Sequence, residues 1–162
     1  MIGLVASILT LGVFECSPQK KQEANSQDGR FTVVLQPEGR LQISKKGVPK
    51  PFAETSKAGY GHHTQIILNY DASTIVLIDR YAGIEVFNRQ AKPILFRPPE
   101  DLLSKTELEN TPGKWACHPE GRWIESPQVA IRPDRISFVI YNGRRIEIPI
   151  PVPGFKKPLV AR

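Results

Sequence analysis

Residues 74–96 read TIVLIDRYAGIEVFNRQAKPILF, and the fold follows from how this stretch alternates. On a strand, successive side chains point to opposite faces. Ile75, Leu77 and Asp79 therefore share one face, and Val76, Ile78 and Arg80 share the other. Both faces are apolar through residue 78, which marks a central strand closed by a polar pair. Tyr81-Ala82-Gly83 predicts a turn, after which Ile84, Val86 and Asn88 alternate with Glu85, Phe87 and Arg89. Gln90-Ala91-Lys92 then turns the chain into Pro93–Phe96. The stretch is a meander of three short strands, and nothing in it requires a ligand.

The same pattern extends outward. FTVVLQPEGRLQISKKG, residues 31–47, predicts a hairpin with Gly39 free to adopt positive φ in its turn. Residues 48–63, VPKPFAETSKAGYGHH, read as a loop, and TQIILNY, residues 64–70, opens a second group of strands. Residues 98–113 carry the one helical signal. Pro99 suits a first turn, and Ser104 with Glu107 fits a capping box, so two short turns are as consistent as one helix. Leu102, Leu103 and Leu108 are its expected contacts with the sheet. Beyond it, Trp115 and Trp123 flank a Pro-Glu-Gly turn, and Ile136, Phe138 and Ile140 alternate up to Asn142-Gly143, the strongest short hairpin signal in the chain. Pro149, Pro151 and Pro153 remove ladder donors at alternate positions and predict an edge strand. With 15 Pro, 12 Gly and 40% hydrophobic residues, the class is mainly β: an antiparallel meander, sandwich-like or propeller-blade-like, with one short α-helix. The 162 residues suit a single β-rich domain, residues 30–155, preceded by a leader and followed by a basic tail at 156–162. No internal repeat, P-loop or G-x-G-x-x-G is visible.

The first 16 residues bear on location. Ile2 to Phe14 is an apolar run without charge, too short to span a bilayer and matching the apolar segment of an export signal. Cys16 follows it after the single residue Glu15 and is succeeded by Ser17, Pro18 and a polar stretch. This arrangement resembles a bacterial lipoprotein cleavage site, which implies lipidation of the Cys16 thiol. Val13, Phe14 and Glu15 precede it, where small residues are usual at the last two positions. SPQKKQEANSQDG, residues 17–29, has no apolar periodicity and is expected to be a flexible tether. Cys117 is the one other cysteine, so no disulfide framework is implied.

The run from Thr74 to Pro112, the Trp115 segment after it and the closing pair ISFVIYNGRRIEIPI together resemble a group of uncharacterised bacterial envelope or secreted proteins. The shared layout covers about residues 60–150: a strand, a G-φ-x-V-F/Y-D/N strand, an E-D-L-L helix with a later E-L, a Trp segment and a closing hairpin. It implies an extracytoplasmic location and brings no activity or catalytic residues with it.

Sites of chemistry are sparse. His62 and His63, with Cys117 and His118, offer four metal-ligating side chains, but neighbours on a strand point apart and neither pair has the usual ligand gap. A hydrolase assembled from Ser56, His62 or His63, and Asp71 or Asp79 lacks a nucleophile signature. Arg132, Arg135, Arg144 and Arg145, with Lys156 and Lys157, form a basic C-terminal cluster in a chain of net charge +6. Phe138 and Tyr141 could interleave with it on a nucleic acid, but Phe138 reads as core by alternation. The expectation is an exported or envelope-anchored, non-enzymatic binding or scaffold module without a cofactor. Its partner would be an envelope protein or an anionic surface, and it would meet the membrane only through a lipid anchor. The alternatives are a small hydrolase or metal-dependent enzyme using His62, His63 and Asp79, and a basic nucleic-acid-binding domain.

Overall fold

A computed structural model describes residues 21–56, 64–79, 83–112, 123–124 and 129–151. Their architecture is mainly β, in three antiparallel sheets. The first sheet runs β1 (Gln22–Asn25), β2 (Phe31–Leu35), β3 (Leu41–Lys45) and β4 (Ala53–Thr55) in chain order. The second is β5 (Thr64–Leu68), β6 (Thr74–Asp79), β7 (Gly83–Asn88) and β8 (Pro93–Arg97), also a simple meander. The third sets β10 (Arg135–Val139) between β11 (Arg145–Pro149) and the short β9 (Ala130–Ile131). A 3-10 turn (Pro99–Asp101) and α1 (Lys105–Glu109) follow the second sheet.

The second sheet is the middle layer because β6 is apolar on both sides. Val76 and Ile78, with Ile84 and Val86 of β7, pack against Ile136, Phe138, Ile146 and Ile148 of the third sheet and against Trp123. Ile75 and Leu77, with Phe87, pack instead against Val33, Leu35, Leu41 and Ile43 of the first sheet. Each of the four β6 aliphatic side chains is at most 1% exposed. Burial of such a side chain stabilises by about 1.5–3 kcal/mol, so this one strand anchors two hydrophobic layers. Leu103 is buried in the Trp123 layer, and Leu102 and Leu108 pack on it, as the leucine pattern predicts. The strand carrying Pro149 lies at an edge, also as predicted.

Three hairpin loops close in one way. Gln36, Asn88 and Ile140 donate their N–H to the carbonyls of Arg40, Lys92 and Arg144, at 2.9, 3.0 and 3.0 Å. The third loop residue takes positive φ in each: Gly39 at 80°, Ala91 at 55° and Gly143 at 85°. Ala91 tolerates this geometry because its methyl is buried in the first-sheet layer and Asn88 Oδ1 accepts the N–H groups of Gln90 and Lys92.

Two expectations are corrected. Residues 21–29, the described part of the predicted tether, are ordered in the first sheet: Gln22–Asn25 pair with Thr32–Leu35, and Ser26 Oγ bonds Asp28 and the Phe31 backbone. The predicted loop at 48–63 contains β4, paired to β3 from Leu41↔Thr55 to Ile43↔Ala53. Both are edge strands held by backbone ladders, so neither needs an apolar alternation. The strands also repeat, although no residue repeat is visible. β2 opens at Phe31 and β6 at Thr74, β3 at Leu41 and β7 at Gly83. That spacing is close to the 40–45 residues of a four-stranded propeller blade.

Gly83 opens β7 at φ +131°, and a Cβ there would overlap the Arg97 carbonyl oxygen and lie 2.9 Å from Pro98 Cα. The β7–β8 pairing therefore needs glycine at this point. Gly83→Ala is expected to lower stability by about 2–4 kcal/mol in urea unfolding, through backbone strain and overpacking together. Gly143→Ala, whose Cβ would meet open space, should cost only about 1 kcal/mol.

Candidate functional site

Among the sequence candidates, the structure describes Ser56, Asp71 and Asp79. His62, His63, Cys117, His118 and Cys16 lie outside the described residues, as do Arg80, Trp115 and the tail at 156–162. Asp79 ends β6 and is 3% exposed. It pairs across the sheet with Thr64, whose hydroxyl donates to Asp79 Oδ2 at 2.9 Å. The Asp79 backbone carbonyl accepts from Trp123 Nε1 at 3.3 Å, and the Trp123 ring meets Phe138 edge-on at 5.5 Å. One residue thus ties the second sheet to the third-sheet core through its backbone and to β5 through its carboxylate.

Asp71 is at the other end of the sheet, before β6 begins, separated from Asp79 by the length of that strand. Arg89 Nη2 donates to Asp71 Oδ2 at 2.7 Å and to the Asp71 carbonyl at 2.8 Å, which pins the β5–β6 loop to the β7–β8 loop. Hydrogen bonding from Ser73, ahead of the charge of Arg89, holds the Asp71 carboxyl below the usual carboxylate range. Ser56 is exposed beyond the end of β4. The described residues thus leave Asp71 and Asp79 as two separate structural contacts, and they contain no group of three side chains able to hold a metal ion.

The C-terminal arginines divide by partner. Arg144 clamps Glu107 through two bonds, Nε to Oε1 at 2.6 Å and Nη2 to Oε2 at 2.7 Å, and Nη2 also reaches the Leu102 carbonyl at 3.0 Å. Asn142 Nδ2 donates to Glu107 Oε1, and the Tyr141 hydroxyl donates to the Glu107 carbonyl. Glu107 meanwhile completes the capping box with Ser104. Helix α1 is thereby fastened to the tip of the β10–β11 hairpin, and Tyr141 serves that joint. Arg135 is held by Asp134 and Glu147 at 2.8 and 3.3 Å. Phe138 is 1% exposed in the core. The expected nucleic-acid surface is therefore reduced, within the described residues, to Arg132 and Arg145.

Arg145 borders a cavity of ≈ 230 Å³ lined also by Val129, Ala130, Ser137, Phe138 and Val139. Its volume is below the 300–1,000 Å³ of ordinary small-molecule sites, and it offers one cation and one hydroxyl. Neither a protein-family model nor a curated protein matches the chain. Residue roles are therefore drawn from this geometry alone.

The Arg144 clamp, followed by the Ser104 N–H, pulls the Glu107 carboxyl from 4.5 to about 2. A carboxyl depressed on folding stabilises fully above its unfolded value and loses that contribution as pH falls from about 4.5 to about 2. Glu107→Gln should lower the thermal midpoint at neutral pH, with the gap to wild type closing across that interval. Asp28, also pulled to about 2 by Ser26 and the Arg30 N–H, titrates in both proteins and cancels in the comparison.

Proposed function

We propose that this chain is an exported, envelope-anchored module whose β domain binds or scaffolds a partner. The observation that carries this reading is the order of its segments. An apolar run at 2–14 is followed, after Glu15, by Cys16, then by a few polar residues, and the first strand begins at Gln22. The body supports it through the use made of its polar side chains. Asp71, Glu107 and Arg144 each serve a contact that joins elements. The test is the intact mass of the mature protein from membrane and soluble fractions of its native host. A mass beginning at Cys16 with diacylglycerol attached is the expected result. An uncleaved, unmodified chain in the cytosol would overturn the proposal.

One observation favours a second reading, an enzyme using His62, His63 and Asp79. Thr64, which follows His63, faces Asp79 across the β5–β6 ladder. That reading requires bound metal or hydrolytic turnover lost in both His62→Ala and His63→Ala. The binding-module reading expects both variants to retain full stability and to carry no metal by elemental analysis.

A further inference from the structure

Four loops, 26–30, 46–52, 69–73 and 89–92, gather at one end of the first two sheets. The Lys46 N–H bonds the Arg30 carbonyl at 2.9 Å, the Asp28 N–H bonds the Tyr70 carbonyl at 3.2 Å, and Arg89 holds Asp71 as described. The acids here are already matched. Asp28 pairs with Arg30 at 2.7 Å, and Asp71 with Arg89 at 2.7 Å. Lys45, Lys46, Lys50 and Lys92 remain, all exposed and in no ion pair among the described residues.

The same end collects apolar surface. Val48, Phe52 and Tyr70 are 46%, 49% and 65% exposed, and of the large apolar side chains exposed among the described residues only Phe96 lies elsewhere. Residues 45–52 read KKGVPKPF, with three lysines interleaved with two exposed apolar side chains and no acid. Pro49 and Pro51 fix φ at two positions and narrow the range of loop shapes. The Phe52 ring stands edge-on to the buried Phe31 at 6.0 Å, and the Arg89 guanidinium lies 4.6 Å from the Phe31 centroid. Phe52 is thus seated on a firm base while half of it faces outward.

We infer that this loop end docks on an anionic lipid bilayer, with the lysines against the headgroups and Val48, Phe52 and Tyr70 at the acyl boundary. Interfacial binding draws on apolar area together with attraction of cations to acidic lipid, and both are present within one surface. Lysine stems also reach headgroup charge while lying along apolar surface. A nucleic acid or acidic polymer would instead favour free guanidinium forks and open stacking faces. Both arginines at this end are already paired with carboxylates. The inference names a partner class for the module proposed above and rests on that reading for location alone.

The test is co-sedimentation of the full, unacylated chain with vesicles of phosphatidylcholine, with or without phosphatidylglycerol. The apolar leader contributes equally to both, so the difference between them isolates the charge-dependent part. Partition onto the anionic vesicles should exceed that onto neutral ones and fall as salt is raised. Lys45→Gln, Lys46→Gln and Lys50→Gln combined should remove about a hundredfold of it, following about fivefold per lysine near an acidic surface. Val48→Ser, which touches no core layer, should weaken binding severalfold, and Phe52→Ser should do so further, with circular dichroism verifying the fold of each. Equal partition onto both vesicle types, or lysine variants that bind as wild type, would overturn the inference. Retention on heparin without vesicle binding would overturn it too, in favour of an anionic polymer. Lipid docking in a chain whose native mass shows no export would refute the location and leave the surface assignment standing.

Discussion

The structure depends on the two-sided apolarity of β6. A strand with Val76 and Ile78 on one face and Ile75 and Leu77 on the other cannot sit in a single sheet open to water. It requires a cover on each side, and the chain supplies one before and one after it. The covers themselves carry one apolar face each. In the first sheet Val33, Leu35, Leu41 and Ile43 point inward, while the outer face is joined by polar contacts such as Gln36 to Gln42 and Thr32 to Asn25. In the third, Ile136 and Ile148 point inward, and Arg135 meets Glu147 outside. The stack is therefore closed by polarity at both of its described ends, as terminal units of a repeat array are.

That constraint also explains why the repeat is hidden. Equivalent strands need only the right face apolar and the right loop closure, and both can be met by different residues. The β1–β2 and β5–β6 loops place Gly29 and Ala72 at φ 67° and 54°, with Ser26 and Asn69 accepting the returning N–H. A glycine in one and a buried alanine in the other do the same geometric task. Residue identity drifts while backbone spacing is kept, so the period appears once strands are aligned and not before.

What was legible divides along the same physical line. The central strand, the Ser104–Glu107 box, the Asn142-Gly143 hairpin and the proline edge strand are local patterns, and each stands where the sequence places it. β1 and β4 are polar strands whose stability lies in backbone pairing with a neighbour, which side-chain periodicity does not report. The site was less legible because it depends on long-range partners. Glu107 finds Arg144 across 37 residues, and nothing in the linear run of four arginines marks that one as a clamp. The lysines of 45–50 are plain in the sequence, but their meeting with Tyr70 and Lys92 requires the sheet order.

The direction of β1 then limits how such a module meets a membrane. It runs from Gln22 toward the 26–30 loop, so the chain enters the first sheet at the end opposite the lysine loops. Residues 17–21 reach at most about 18 Å when extended, and the strands of this sheet are about 15 Å long. Because that reach exceeds the strand length, the segment can run back along the sheet, and an acyl group on Cys16 and the lysine loops can share one bilayer. A module standing upright on its anchor would instead present the loops to whatever surface faces it. The choice between these two arrangements belongs to the charge and spacing of the facing surfaces.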